Sequence, residues 1–193
     1  MKAPQRKREP ILLVMGSVRS GRRCPEIAEW IATIGRVATG AEVELVDLRD
    51  WHLPMDDEPL IPALGDYIQE HSLAWSQKVA NASACVFVTP QYNWGYPAAL
   101  KNAIDHCYKE WRGKPMLAVT YGGRGGGKCG AQLLQVAEGL KMRAITPFPE
   151  LRLSEEVIRG GVLDVEREFG SCRDAVVMGF EALLEAIWDP ESQ

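Results

Sequence analysis

Short apolar runs alternate along the chain with longer segments whose apolar positions recur every three or four residues. Runs at residues 11–15, 43–46, 84–89 and 115–120 are typical of strands buried on both faces of a parallel sheet. A weaker run covers residues 142–146. The pattern therefore predicts five strands, of which the first, third and fourth are followed by loops of unusual composition.

The segments between these runs have helical periodicity, with one apolar face each. Helices are predicted over residues 25–39, 64–82, 97–111, 133–140 and 175–187. Residues 147–170 have no pattern that assigns them a structure. Five strands that alternate with five helices require a parallel sheet wound by right-handed crossovers and covered on both faces.

We predict a flavodoxin-like three-layer α/β sandwich with the strand order 2-1-3-4-5. This order places the loops after strands 1, 3 and 4 side by side at the carboxyl edge of the sheet, around its switch point. A single domain is expected over residues 10–190. A disordered basic tail is expected at residues 1–9.

Composition narrows the class of protein. The chain has 193 residues and a formal net charge of −4, which argues against a nucleic-acid or anionic-membrane surface. No apolar run approaches the ~18 residues of a membrane span. Five widely spaced cysteines fit a reducing cytoplasm, and no cysteine–histidine cluster has zinc-ligand spacing, so we expect no metal.

Isolated histidines and cysteines are expected to have structural roles. His52 and His71 should lie at the surface, and His106 should face solvent or a partner from the polar side of its helix. Cys85 and Cys107 follow the apolar pattern and should pack in the core. We expect none of these three histidines and two cysteines to be catalytic.

The first loop, residues 16–24, is suited to an anion. Its small residues allow backbone amides to turn inward, and the helix predicted from Pro25 directs its positive end at the loop. Ser17 can donate a hydroxyl hydrogen bond, and charge-assisted bonds can come from Arg19, Arg22 and Arg23. The alternative is that the arginines belong to a solvated loop.

The aromatic loop, residues 90–97, joins the third strand to an amphipathic helix. It contains the sequence Pro-Gln-Tyr-Asn-Trp-Gly-Tyr-Pro, which has too many rings for a simple connector. Pro97 can occupy the first helical position, where its missing N–H costs nothing. We interpret this loop as a cradle for a flat aromatic cofactor.

The glycine loop, residues 121–129, matches two known patterns imperfectly. It has Walker A spacing, but Cys129 stands where Mg²⁺ coordination requires Ser or Thr. Gly125, Gly127 and Gly130 fit a dinucleotide fingerprint, with Glu150 as ribose partner, but three strands precede it. More simply, such a loop lets backbone N–H groups approach a planar ring. Cys129 also lies at a helix start, where a thiolate is favoured.

The three loops together resemble the NADPH-dependent FMN reductase family. The resemblance rests on Gly-Ser-Val-Arg at residues 16–19, the 17 residues from Thr89 to Asp105, and Tyr-Gly-Gly at residues 121–123. Cys24-Pro25 and Gly-Lys-Cys at residues 127–129 are similar to its fungal NAD(P)H:quinone reductase branch. The resemblance extends from Ile11 to about Met142.

The resemblance implies a homodimer or homotetramer that holds FMN without a covalent bond. The phosphate would be bound by Ser17, Arg19, Arg22, Cys24 and Pro25. One side of the isoalloxazine ring would contact Pro90, Gln91, Tyr92, Asn93, Trp94 and Gly95. The pyrimidine edge would contact Tyr121, Gly122, Gly123 and Gly125. The loop at residues 51–62 of a neighbouring subunit would complete the site.

The reaction that the resemblance implies transfers a hydride from NADPH or NADH to FMN, then two electrons to a quinone, in ping-pong order. Azo compounds, metal oxyanions or free flavin are further acceptors. FMN would carry the chemistry, so no catalytic side chain is assigned. Tyr92, Trp94 and Tyr96 would either shape the acceptor slot or pack at an interface. The alternatives are a flavodoxin-type single-electron carrier and a flavin-sensing partner of another protein.

Overall fold

The computed structural model describes residues 9–189, so the tail predicted at residues 1–9 lies, except for Glu9, outside the described part of the chain. One parallel sheet has its first five strands in the order 2-1-3-4-5, and a sixth strand also pairs with the fourth. The order is the predicted one, which confirms the flavodoxin-like arrangement. The strands are β1 (Ile11–Met15), β2 (Val43–Asp47), β3 (Ala84–Pro90), β4 (Pro115–Gly122), β5 (Arg143–Ala144) and β6 (Glu150–Arg152).

Two short strands share the position beside β4. β5 pairs with the start of β4, Arg143 opposite Pro115, and β6 pairs with its end, Glu150 opposite Thr120. The predicted length of the fifth strand, residues 142–146, is therefore wrong. The chain leaves the sheet before Pro147, which lacks the N–H that a continuous strand would donate. β6 was missed, and it lies beside the start of the glycine loop.

The helices flank this sheet, and two of them are shorter than predicted. They are α1 (Cys24–Thr39), α2 (Glu70–Ala80), α3 (Ala98–Asp105), α4 (Gly127–Gly139), α5 (Glu155–Ile158), α6 (Val165–Phe169) and α7 (Arg173–Trp188). Pro97 precedes α3 as its N-cap rather than occupying its first position. Among the helices within residues 9–189, none combines the length and the apolar composition that crossing a bilayer requires.

Helix α2 begins six residues later than the apolar periodicity predicts. A 3₁₀ turn at Pro62–Leu64 ends at Gly65, whose φ of +72° stops further helical winding. Leu64 and Ile68 are 47% and 64% exposed, so they are not core residues of α2. Helix α3 ends at Asp105, but Trp111 remains fully buried because its Nε1 donates to the Ile104 carbonyl at 2.9 Å.

The core consists of two apolar layers, one on each face of the sheet. Alternate strand residues point to opposite faces. Leu13 and Val86 pack with α1 and α7, whereas Leu12 and Phe87 pack with α2, α3 and α4. Cys85 and Cys107 lie in the second layer, as predicted.

The expectation that His106 faces solvent or a partner is wrong, because its side chain is buried within the chain. It is 7% exposed and follows α3 directly, where its Nδ1 donates to the Asn102 carbonyl at 2.8 Å. Its ring also lies edge-on to the His71 ring, with centroids 5.9 Å apart. His71 is half-buried, and His52 is exposed. The end of α3 turns His106 inward, which helical periodicity did not predict.

Candidate functional site

The first loop leads from β1 into the N-terminus of α1. Its first residue is Gly16, where a Cβ would lie 2.9 Å from Thr89 Oγ1. Helix α1 begins at Cys24, one residue before the predicted Pro25, and the N-cap residue Arg23 makes no side-chain cap. The first amides of α1 are therefore not covered by a capping side chain and can receive an anion.

Arg22 is a buried cation with unused hydrogen-bonding capacity. Its side chain is 7% exposed and pairs through Nη2 with the Asp47 carboxylate at the end of β2. Its Nε and Nη1 are buried and have no hydrogen-bond partner. A buried donor left unsatisfied costs about 1–3 kcal/mol. This arrangement is expected of a site that receives an anionic group, and it fits the phosphate of FMN.

Tyr92 connects the aromatic loop to the first loop. Its hydroxyl lies 2.9 Å from Oγ of Ser17, which is fully buried. The Arg19 guanidinium carbon lies 4.1 Å from the centre of the Tyr92 ring, at cation–π distance. Two residues expected to bind phosphate are thus held by one expected to contact the flavin ring.

A two-residue hairpin projects an indole from the aromatic loop. Tyr92 N donates to Gly95 O at 2.8 Å, and Gly95 N donates to Tyr92 O at 2.9 Å. The central residues Asn93 and Trp94 have φ angles of +49° and +71°, the sign that a type I′ turn requires. Trp94 is 64% exposed, and Lys128 Nζ lies 5.3 Å from its ring centre.

The glycine loop continues β4 through a tight turn. Gly125 N donates to Gly122 O at 3.0 Å, and Gly125 and Gly126 have φ angles of +81° and +113°. A Cβ on Gly126 would lie 2.7 Å from Thr120 Cβ. The turn therefore requires glycine at residue 126, both for its backbone angle and for space.

Both phosphate-binding alternatives for the glycine loop require a free N-terminus on α4. Instead, the Gln91 side-chain oxygen accepts the Cys129 N–H at 3.1 Å. The Glu150 carboxylate lies 2.8 Å from where a Cβ on Gly127 would stand, so negative charge already borders the loop. This geometry disfavours the Walker A and dinucleotide interpretations, and Glu150 lies against the loop rather than apart from it as a ribose ligand.

Buried hydroxyl and thiol groups around the loops are held neutral. Burial raises the pKa of the Cys129 thiol to about 12, although a Thr89 hydrogen bond opposes it, so burial outweighs the effect of the helix start. Burial also raises the pKa of Cys24. Burial and then the neighbouring Cys24 raise the pKa of the Tyr121 hydroxyl far above its usual value. These groups pack and form hydrogen bonds at neutral pH.

The three loops meet at one cleft of about 340 Å³. Of the candidate residues, those that line it are Arg19, Arg22, Pro90, Gln91, Tyr92, Tyr121, Gly122 and Gly123. The candidates outside that lining are Ser17, Cys24, Pro25, Asn93, Trp94, Gly95 and Gly125. Ser17 is hydrogen-bonded to Tyr92, and Cys24 and Pro25 start α1. The hairpin contains Asn93, Trp94 and Gly95, and the glycine turn contains Gly125.

Residues after β6 complete the cleft, and sequence reasoning missed them. The added lining residues are Leu153, Val157, Ile158 and Gly160. Ile158 is 55% exposed, and its Cδ1 lies 2.9 Å from where a Cβ on Gly123 would stand. Arg23 donates to the Gly161 carbonyl, which ties this segment to the first loop. The adjacent pairs Val157-Ile158 and Gly160-Gly161 were the available signal.

Several known proteins are similar to this chain in sequence. The family model of NADPH-dependent FMN reductases matches residues 10–150. An NAD(P)H-dependent FMN reductase of Schizosaccharomyces pombe is 55% identical over 161 residues, covering 82% of this chain and 80% of its own. A quinone reductase of Escherichia coli is 29% identical over 139 residues, covering 65% of this chain and 68% of its own.

A solved structure shares the fold. It is the flavoenzyme NAD(P)H:(acceptor) oxidoreductase FerB from Paracoccus denitrificans, with a TM-score of 0.68 and 19% identity, covering 93% of this chain and 97% of that one. The fold and the three loops define a flavodoxin-like oxidoreductase. The chain belongs to the NADPH-dependent FMN reductase family. Its cofactor and co-substrate follow from that membership as FMN and NAD(P)H, as predicted.

Proposed function

We propose that this enzyme holds FMN in the 340 Å³ cleft and reduces quinones with NAD(P)H. The observation that carries the proposal is the buried Arg22 guanidinium, whose Nε and Nη1 have no partner within the described chain. A phosphate beside the α1 N-terminus would accept from both. The similarity to NAD(P)H-dependent FMN reductases and to a quinone reductase supports the same reaction.

The phosphate end of the cofactor lies, in this proposal, between the first loop and α1. Ser17, Arg19 and Arg22 donate to phosphate oxygens, and the start of α1 adds its dipole. Asp47 holds the Arg22 guanidinium in place through Nη2, which leaves the other nitrogens for the ligand. Cys24 and Pro25 set the first turn of the helix.

The ring end lies between the aromatic loop and the glycine loop. Residues 90–95 contact one side of the isoalloxazine ring, and Tyr121, Gly122, Gly123 and Gly125 contact its pyrimidine edge. The glycine turn has little side-chain bulk, so its backbone would be able to approach the ring edge closely. When bound, FMN would supply the redox chemistry that links NAD(P)H oxidation to reduction of the acceptor.

The nicotinamide and the acceptor use the same open side of the cleft in turn, which gives ping-pong kinetics. Trp94 and Lys128 form one rim of this slot, because the indole is exposed and the ammonium lies 5.3 Å from its centre. Tyr92, which lines the cleft, forms its inner wall, whereas Tyr96 packs against the second apolar layer. Quinones are the primary acceptors in this proposal, and azo compounds, metal oxyanions and free flavin are secondary ones.

The active form is a homodimer or homotetramer in the cytoplasm. Six apolar side chains between residues 55 and 73 are 47–74% exposed: Met55, Leu60, Ile61, Leu64, Ile68 and Leu73. Exposed apolar patches of this kind mark association surfaces. Residues 51–62, which contain three of these side chains, would reach the neighbouring subunit's cofactor. All five cysteines are free thiols, as a reducing compartment maintains them.

Absorption spectroscopy tests the proposal. The purified protein, reconstituted with FMN, should show oxidised-flavin bands that bleach on anaerobic addition of NADPH and return on addition of a quinone. Bands that NADPH cannot bleach would favour the single-electron carrier instead. Failure to bind added FMN would refute the assignment of all three loops.

A further inference from the structure

Asp57 and His106 line a second cleft of the chain, of about 520 Å³, and His71 lies beside them. One ligand atom from each residue lies within 4.8 Å of the others. We propose that these three side chains bind a divalent transition-metal cation such as Zn²⁺. This proposal does not depend on the flavin reaction, because the two clefts have no lining residue in common.

The distances are close to those of a metal site. Ligands bound to Zn²⁺ at 2.0–2.1 Å in tetrahedral geometry lie about 3.3 Å apart. His71 Nε2 already lies 3.1 Å from the Asp57 carboxylate. The two imidazole rings are inclined at 68° with centroids 5.9 Å apart, so they converge edge-on rather than stack. Small side-chain rotations would therefore complete three-point coordination.

His106 is oriented as a metal ligand is. Its Nδ1 lies 2.8 Å from the Asn102 carbonyl oxygen, which can only accept, so this nitrogen carries the proton. The lone pair is consequently on Nε2. A ring N–H donated to a backbone carbonyl fixes the tautomer and orientation of metal-bound histidines. The ring is also 7% exposed, which protects it from competing water.

Asp57 is held in place although it belongs to the irregular segment between β2 and α2. The adjacent Glu58 carboxylate accepts the backbone N–H groups of Ile68 and Gln69 at 3.1 and 3.0 Å. Gln69 in turn donates its side-chain amide to the Asp57 carbonyl at 3.3 Å. The loop is therefore shaped before any ion arrives. A bound cation would clip this loop to the start of α2 and the end of α3.

The ligand types select the class of metal. Two imidazoles with one carboxylate suit zinc, cobalt, nickel or copper, whereas magnesium and calcium prefer oxygen ligands alone. Asp56, Glu58 and Asp105 also line the 520 Å³ cleft, so its charge attracts a cation. The cleft gives an ion an open side, where water would take the remaining position. The sequence hid this cluster because its members are 14 and 35 residues apart along the chain.

Zinc titration of the tag-free holoenzyme by calorimetry tests the proposal, with Zn²⁺ alone as the probe. We expect one Zn²⁺ per chain, undisturbed by excess Mg²⁺. His71→Ala should weaken binding by at least about 100-fold, because loss of even an outer-shell partner costs roughly 10–100-fold. Asp57→Asn tests the carboxylate without a change of shape. His52→Ala, which removes an exposed histidine, should leave the affinity unchanged.

The results separate a built site from incidental binding. Equal affinity in wild type and His71→Ala, or no binding at one zinc per chain, would overturn the proposal and leave His71 as an ion-pair partner of Asp57. Protease cleavage within residues 48–69 should also slow when zinc is added to the wild type and stay unchanged in His71→Ala. His71→Ala and Asp57→Asn alter partly exposed side chains, so both variants should fold. Circular dichroism verifies this.

Discussion

Replacing Arg22 with Met gives a direct test of the phosphate site. The variant keeps the aliphatic bulk of the buried side chain but removes the guanidinium whose Nε and Nη1 have no partner. A hydrogen bond to a charged group contributes about 1.5–3 kcal/mol. Two such bonds to a phosphate would raise the dissociation constant for FMN by roughly 10²–10⁴-fold, and one alone by roughly 10–100-fold.

Fluorescence quenching of FMN titrated with apoprotein measures this change. Riboflavin, which lacks the phosphate, provides the second side of a thermodynamic cycle. Arg22→Met should weaken FMN binding strongly but should change the affinity for riboflavin by no more than about threefold. Arg22→Lys keeps the charge but not the planar fork, so it should recover part of the loss. Arg112→Met is the control, because Arg112 is exposed near the opposite, amino end of β4.

Equal losses for FMN and riboflavin would refute the reasoning, since the effect would then come from a distorted cleft rather than from a lost phosphate contact. An FMN affinity within threefold of the wild type would refute it as well. The partly exposed Asp47, 18% accessible, retains its bond from the Arg49 amide at 3.0 Å. The variant should therefore still fold.

Tyr92→Phe removes the hydroxyl 2.9 Å from Ser17 and should lower the apoprotein's free energy of unfolding by about 1 kcal/mol in urea titrations; no change would show that water restores the bond. Gly126→Ala places a Cβ 2.7 Å from Thr120 at a φ of +113° and should cost on the order of 2 kcal/mol or more, so an unchanged urea midpoint would contradict the fixed turn. Burial raises the pKa of Cys85 from 9.0 to about 12, so the stability gained from its neutral thiol is complete below pH 9 and is lost as the pH rises from 9 to 12. Cys85→Ala should make the alkaline loss shallower by about 1 kcal/mol per pH unit, and equal slopes in both proteins would contradict this.

The predictable part of the fold came from elements long enough to repeat their pattern. β3 is buried at all seven positions, and α1 repeats its apolar face over 16 residues. By contrast, β6 has three residues and α5 has four, too few for either period to emerge. The lining residues Leu153, Val157 and Ile158 were missed for this reason, although they complete the cleft.

Two further failures have a common physical cause, because periodicity reports which residues are apolar or polar and not what they face. Leu64 and Ile68 continue the apolar pattern of α2 but are exposed outside it. His106 occupies a polar position of α3 but is buried where that helix ends. Tertiary contacts decide all of these cases.

The backbone conformation of Trp94 has a consequence for laboratory evolution of this protein. A residue with a Cβ at a left-handed φ of +71° is strained by roughly 1–2 kcal/mol, and its indole is 64% exposed to water. Glycine is the preferred second residue of such a turn after asparagine, which already stands at residue 93. A library selected for heat resistance alone should therefore enrich Trp94→Gly, and the survivors would lose the aromatic rim. Selection for both survival and turnover would retain the tryptophan, which makes this position a sensitive marker of whether a screen measures function.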